Sequence, residues 1–286
     1  MTVHVFLAGA TGTIGRQVLP LLAADGHRVT ALTRSESGAA AVLAAGGTPV
    51  TGDVYDAARL AHLVRAASPD AVMHQLTDLG RGNLADNARI RTAGTRNLVD
   101  AALAAGVRRI VAQSISWVYE GGPDPAGEET PLDTTAPEPR RTTVAGVAAL
   151  EGAVRELPEW VVLRYGLLYG PGTWYTRDGS AADRARAGEL AADDEVASFV
   201  HVADAARAAA LALSWPSGAT VNIVDDEPAP ARAWVPVFCE AVGAPPPAAL
   251  PAGGRNGWAR GADNSRARRD LGWRPEFASW RTGFLA

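Results

Sequence analysis

Apolar and polar positions follow two rhythms along the first 165 residues. Six short runs, at 3–8, 28–32, 48–50, 71–75, 109–113 and 161–165, are apolar or β-branched with few interleaved polar positions, the pattern of strands buried on both faces. Between them lie helical periods at 14–24, 39–45, 57–66, 86–105 and 143–156, and Gly26, Gly46 and Gly106 stand where helices stop. This alternation predicts an α/β fold, a doubly wound parallel sheet of the Rossmann kind, over residues 1–169. Beyond Tyr165 the rhythm loosens into an irregular stretch at Gly170-Pro171-Gly172. A helix (204–213), a strand (220–224), helices at 233–242 and 264–271, and breaker-rich loops at 245–247 and 251–254 follow. Residues 170–286 are therefore expected to form mainly a smaller substrate lobe over the mouth of the sheet, with one helix and one strand returning to the Rossmann core.

The loop after the first run reads Gly-Ala-Thr-Gly-Thr-Ile-Gly at 9–15. Gly9, Gly12 and Gly15 permit a tight turn, close backbone approach to a pyrophosphate and close helix–strand packing. The helix start behind them offers free N–H groups. With a strand before it and a helix after it, the loop Gly9, Thr11, Gly12, Thr13, Ile14 and Gly15 reads as a dinucleotide site rather than an empty glycine turn. At the end of the second run, where an acid usually meets the adenosine ribose of NAD(H), stands Ala31-Leu32-Thr33-Arg34-Ser35. Arg34 suits a 2′-phosphate, so NADP(H) is expected over NAD(H), although a solvated surface arginine is the plainer alternative. Asp53 and Val54, after the third run, would reach the adenine, or Asp53 is an ordinary turn aspartate.

Further motifs are Gly94-Thr95-Arg96-Asn97-Leu98, Val118-Tyr119, Leu163-Arg164-Tyr165, Tyr169-Gly170-Pro171-Gly172, His201-Val202-Ala203-Asp204 and Leu271-Gly272-Trp273-Arg274-Pro275. Together with the glycine loop they resemble the NAD(P)-dependent epimerase/dehydratase group of the extended short-chain dehydrogenases/reductases, over nearly the whole chain. The resemblance implies that Gln75, Leu76 and Thr77 pass the nicotinamide ribose. It also implies that Asn97 supports the site and that Tyr165 and Gly166 flank the nicotinamide. It further implies a catalytic Ser or Thr four residues before the tyrosine of the Val-Tyr pair, and a Tyr-x-x-x-Lys pair on the next helix.

That pair cannot exist here, because all 27 Lys+Arg positions are arginine. Aligned on Glu151, the tyrosine position holds Thr143 and the lysine position Val147. Four residues before Tyr119 is Ile115, flanked by Ser114 and Ser116. The missing pair normally moves the carbonyl-oxygen proton, a contribution of about 10²–10⁴ in rate. Tyr165, Thr143, Ser116 and Tyr119 are the hydroxyls that would substitute, with Tyr165 the best placed by the resemblance. Tyr119 and Tyr169 read more plainly as packing residues. Arg140 and Arg141, with Thr142, are expected to precede the helix. Asp204 suits a helix N-terminus, and His201 a structural strand end. Trp117, Trp174, Tyr175, Trp234 and Trp258 would suit an apolar or aromatic substrate, or simply pack.

Composition narrows the partners. A formal charge of −4 leaves no footprint for nucleic acid or an anionic membrane. One cysteine, Cys239, excludes an internal disulfide, and five histidines without ligand spacing leave no expected metal site. The apolar run at 3–8 is too short for a signal peptide or membrane span. A cytoplasmic protein is expected, a homodimer through the helices at 86–105 and 143–156, where Ala145, Ala148 and Ala149 allow close approach. The leading expectation is an atypical NADP(H)-dependent oxidoreductase acting on a carbonyl or activated double bond of a small, partly apolar molecule. The alternatives are a non-redox isomerase, cyclase or dehydratase, and a non-catalytic NADP-sensing protein.

Overall fold

β-branched and apolar side chains fill both faces of the central strands, which is why those strands sit in the middle of a sheet. In the computed structural model, which describes residues 2–78, 84–248 and 253–285, the chain forms β1 (His4–Ala8), α1 (Gly15–Ala24), β2 (Arg28–Thr33), α2 (Glu36–Ala44), β3 (Thr48–Thr51), α3 (Ala57–Ala67) and β4 (Ala71–His74). Next come α4 (Leu84–Arg89), a π-turn (Ile90–Gly94), α5 (Thr95–Ala104), β5 (Arg109–Ile115), α6 (Arg140–Val154) and β6 (Glu159–Tyr165). The remainder comprises β7 (Leu167–Tyr169), α7 (Ser180–Arg186), β8 (Val196–Ala197), β9 (Phe199–His201), α8 (Val202–Leu211) and β10 (Ala219–Ile223). It ends with β11 (Ala229–Pro230), α9 (Ala231–Ala241), α10 (Ser265–Asp270) and α11 (Trp280–Gly283).

The seven-stranded sheet has the order β10-β6-β5-β4-β1-β2-β3. The run from β3 to β5 is parallel. The chain winds outward from β1 to β3 and then returns to β4 on the other side of β1. This reversal is the doubly wound arrangement, and it opens a crevice beside the carboxyl ends of the strands. Register sharpens the point: Ala8 pairs with Leu32 and with His74, and His74 with Ala112. The segments that follow β1, β2 and β4 therefore leave the sheet at one level.

Strand positions agree with the sequence pattern to within about two residues. β3 differs in exposure, because it is the sheet edge, with Thr48 and Thr51 exposed. Pro49 is tolerated there, where one row of N–H groups has no partner strand. The helix expected over 86–105 is broken by the π-turn. The helix expected to start at 143 starts at Arg140, so Arg140, Arg141 and Thr142 lie inside it. Glu138 explains the earlier start: its carboxylate accepts from the Thr142 amide and hydroxyl and from Arg141.

Packing divides the chain into two units. The first comprises the described residues of Met1–Ser114, Thr134–Leu163 and Ala206–Thr220, the second those of Ile115–Asp133, Arg164–Ala205 and Val221–Ala286. This division departs from a single boundary at residue 169, since 115–133 and 164–169 group with the second unit. The first unit has an aliphatic core, including Phe6, Leu60, Val72, Leu98, Ile110, Leu150 and Val162. The second has an aromatic one, in which Phe199 meets Trp234 at 5.1 Å and Phe284 at 5.3 Å between ring centroids. Tyr175 and Trp234 belong to this core, so their size stabilises the unit. Trp117 and Trp174 are exposed. No helix among the described residues is long and apolar enough to cross a membrane.

Candidate active site

At the level where β1, β2, β3 and β4 end, the first unit has a cleft of about 250 Å³. Gly9, Thr11 and Gly12 form one wall, Arg34 and Asp53 another, and Val54, Gln75, Leu76 and Thr77 also line it. Leu32, Thr33, Gly52, Tyr55, Asp78 and Ile90 complete the lining. These were not singled out from the sequence, although most neighbour residues that were. Thr13, Ile14 and Gly15 stand behind the lining, where the loop turns into α1.

The glycines have identifiable geometric reasons. Gly9 has φ +97°, and a Cβ there would lie 2.6 Å from the Gln75 backbone; a Cβ on Gly15 would lie 2.0 Å from the Gly9 carbonyl oxygen. The loop thus folds against the end of β4 as closely as backbone permits. Gln75 is 5% exposed, and among the described residues neither atom of its side-chain amide has a hydrogen-bond partner. A buried amide with both ends unmatched in a cleft wall is poorly explained by packing, since burying such a group unbonded is costly. The hydroxyls and amide of a dinucleotide would satisfy it, so the residues present fit that group. Asp53 accepts from the Tyr55 amide at 2.9 Å, an Asx turn. Asn97 donates to the Val54 carbonyl at 2.9 Å, and so holds the loop that carries Asp53 and Val54.

A hydrogen-bond chain runs through the base of the cleft. The Leu76 amide donates to His74 Nδ1 at 3.2 Å, which makes that nitrogen an acceptor and places the ring proton on Nε2. Nε2 then donates to Thr95 Oγ1 at 2.8 Å, and the Thr95 hydroxyl donates to the Ile90 carbonyl at 3.3 Å. Burial, reinforced by the Arg91 charge, pulls the His74 pKa down to about 4, so the ring stays neutral. The chain ties the cleft floor at Leu76 to the π-turn.

The hydroxyl candidates lie in different surroundings. In the first unit Thr143 is buried on α6, and Val147 one turn later is fully buried. Ser114 donates to Glu151 at 2.8 Å, and Glu151, wholly buried, also accepts from Arg155 at 2.9 Å. In the second unit Ser116 is buried and its amide donates to the Tyr165 carbonyl at 2.9 Å. Tyr165 is buried at the end of β6. A Cβ on Gly166 would lie 2.7 Å from the Ser198 carbonyl oxygen, which accounts for the glycine. The Tyr119 hydroxyl donates to Asn222, and the Arg164 guanidinium lies 4.8 Å over the Tyr119 ring, so this tyrosine is committed to packing.

Tyr169 is fully buried, and burial, then Asp225 and Asp204, pushes its pKa far up, so it does not ionise. His201 stacks on Phe277 at 3.8 Å, with its pKa lowered by burial. Asp204 does more than complement a helix N-terminus, since it accepts from the Glu276 and Phe277 amides at 2.9 and 3.0 Å. No cluster of metal-ligating side chains occurs among the described residues.

Fold, strand order and cleft define a nucleotide-binding α/β protein of the short-chain dehydrogenase/reductase type. The NAD dependent epimerase/dehydratase family model matches residues 5–224, and the chain belongs to that family. It is 44% identical over 303 aligned positions to a 3-diazoavenalumate denitrifying reductase of a Streptomyces species, covering 98% of each chain. Among solved structures, UDP-glucose 4-epimerase of Thermotoga maritima, with UDP-glucose, superposes with a TM-score of 0.77 at 22% identity over 99% of this chain and 96% of that one. The Thermus thermophilus UDP-glucose 4-epimerase complex with NAD superposes with a TM-score of 0.74 at 26% identity, over 99% and 96%. These likenesses support an oxidoreductase-type function and a nicotinamide cofactor.

Proposed function

We propose that the protein is an NADPH-dependent reductase of a small aromatic acid bearing a diazo group, which it reduces with release of nitrogen. The observation that carries this reading is the lysine-free sequence of a chain whose family resemblance implies a Tyr-x-x-x-Lys pair. Reduction of a carbonyl needs a proton delivered to oxygen as well as a hydride. An aryldiazonium ion needs no such proton: hydride adds to the terminal nitrogen, giving an aryl diazene. The diazene then loses N₂, its N–H hydrogen passes to the ring carbon, and the products are arene and NADP⁺. Atoms and charge balance without a general acid. A lysine amine beside a diazonium would instead repel the cation or couple to it. The relative's name, which records a diazo compound, an acid anion and a denitrifying reduction, supports the same class.

The cofactor supplies hydride. Gly9, Gly12 and the start of α1 would hold its pyrophosphate, Gln75 would bind the nicotinamide end, and Arg34, exposed at the cleft wall, favours a 2′-phosphate. With the proton step gone, what the protein contributes is orientation and exclusion of water. We also read the protein as a cytoplasmic homodimer. The groove of about 440 Å³ beside α4, the π-turn and α6 combines small residues (Ala88, Ala145, Gly146) with Thr92, Thr142 and the charged Arg89, Glu138 and Arg141, and supports docking of a second copy through small-residue contact and paired charges.

A second reading, reduction of a carbonyl or activated double bond, is favoured by the buried hydroxyls of Thr143 and Tyr165 and would require one of them as proton donor. The two are separated by incubating the protein with NADPH and either a diazonium-bearing cinnamate or a panel of ketones and enones. We expect NADPH oxidation and N₂ release with the first, above the protein-free rate. Oxidation with ketones alone would select the second reading.

A further inference from the structure

Arg91 lies in the π-turn and is 3% exposed. Among the described residues its Nε has no hydrogen-bond partner and no carboxylate pairs with it, and burial lowers its pKa to about 10. The guanidinium is therefore charged at neutral pH and unmatched. Its Cδ would stand 3.6 Å from a Cβ on Gly146 of α6. Its charge also acts on His74, whose neutral ring offers it no compensation.

A buried, unpaired cation is strongly unfavourable for a fold, and replacing one by an apolar side chain of similar size commonly stabilises a protein. Here the surroundings do the opposite of avoiding it. The chain from the Leu76 amide through His74 and Thr95 to the Ile90 carbonyl fixes the π-turn that carries Arg91. Its neighbour Ile90 lines the cleft, as do Gln75 and Leu76 next to His74. A π-turn inserted in a helix is itself a frequent companion of functional residues.

We infer that Arg91 is a substrate-recognition residue, which takes a carboxylate or phenolate oxygen of the small aromatic acid. This rests on the reductase reading for the identity of the acid. Cofactor phosphate is the other anion at hand, but the glycine loop and Arg34 already serve phosphates. A guanidinium on the oxyanion end would also leave the diazonium end uncompensated and more receptive to hydride.

The test uses binding, not turnover. Cinnamate and the isosteric neutral cinnamamide are titrated calorimetrically into protein saturated with NADP⁺. We expect cinnamate to bind at least roughly tenfold tighter than the amide. Arg91→Met should abolish that preference while keeping NADP⁺ affinity within about twofold and raising the melting temperature; Arg91→Lys should keep part of the preference. Equal affinity for the two probes in the wild type would overturn the inference, as would a preference that survives Arg91→Met. A collapse of NADP⁺ affinity in Arg91→Met would assign the cation to the cofactor and overturn it too. So would a lowered melting temperature in that variant, which would make Arg91 structural. If charge preference is intact but no diazonium is reduced, the reductase reading fails and the anion site stands.

Discussion

His74 shows how one side chain acquires a fixed role from its two hydrogen bonds. Because Nδ1 accepts from a backbone amide, protonating it would set two donors against each other, and burial beside the Arg91 charge adds to that cost. The folded pKa of about 4 lies below the ordinary histidine value of 6.5, so the unfolded chain binds the proton more readily between those values. Stability from this group is therefore complete above about pH 6.5 and is lost as pH falls toward 4, by up to about 3 kcal/mol. Urea unfolding of the wild type and of His74→Gln across that range checks it: the difference between the two should shrink on acidification. A constant difference would contradict the assigned neutral tautomer. Gly15 is a second residue with a sharp expectation. With a Cβ placed 2.0 Å from the Gly9 carbonyl, Gly15→Ala should destabilise by about 1–3 kcal/mol and abolish NADPH binding, measured by fluorescence titration; unchanged affinity would mean that the loop does not hold the pyrophosphate.

The π-turn is the element on which the site's floor depends, and Thr95 is its fastener. Thr95→Val removes the acceptor for the His74 ring and the donor to Ile90. It should cost about 1–3 kcal/mol, whereas Thr95→Ser, which keeps the hydroxyl, should stay within about 1 kcal/mol. Equal losses in thermal denaturation would show that the hydroxyl is irrelevant. This element was not legible in the sequence, because a π-turn of five residues is too short for its altered spacing to stand out from a helical period. The buried strands were legible, since runs such as Val5–Phe6–Leu7 admit few other environments. So was the glycine loop, whose three glycines each meet backbone. The short pieces β7, β9 and α7 were missed; three to seven residues are too few to show a period. Tyr175 and Trp234 were open to both readings, substrate wall and packing, because composition alone does not distinguish an aromatic core from an aromatic wall. Arg91 went unnoticed for a related reason: an arginine in a helix ordinarily lies in solvent, and only burial marks this one.

Across the whole molecule a glycine-walled cleft of the NAD dependent epimerase/dehydratase family occurs in a chain with no lysine. Cofactor choice is tested at the cleft wall. Arg34→Glu should weaken NADPH binding by roughly 100-fold, about 3 kcal/mol, while leaving NADH binding nearly unchanged; equal losses for both cofactors would remove Arg34 from the 2′-phosphate. The chemistry itself is tested by stoichiometry. Under anaerobic conditions, with a diazonium-bearing cinnamate and limiting NADPH, nitrogen release is measured by mass spectrometry alongside cofactor oxidation, against protein-free and Gly15→Ala controls. One N₂ is expected for each NADPH oxidised, at a rate well above both controls. Tight NADPH binding with nitrogen release no faster than in those controls would contradict it.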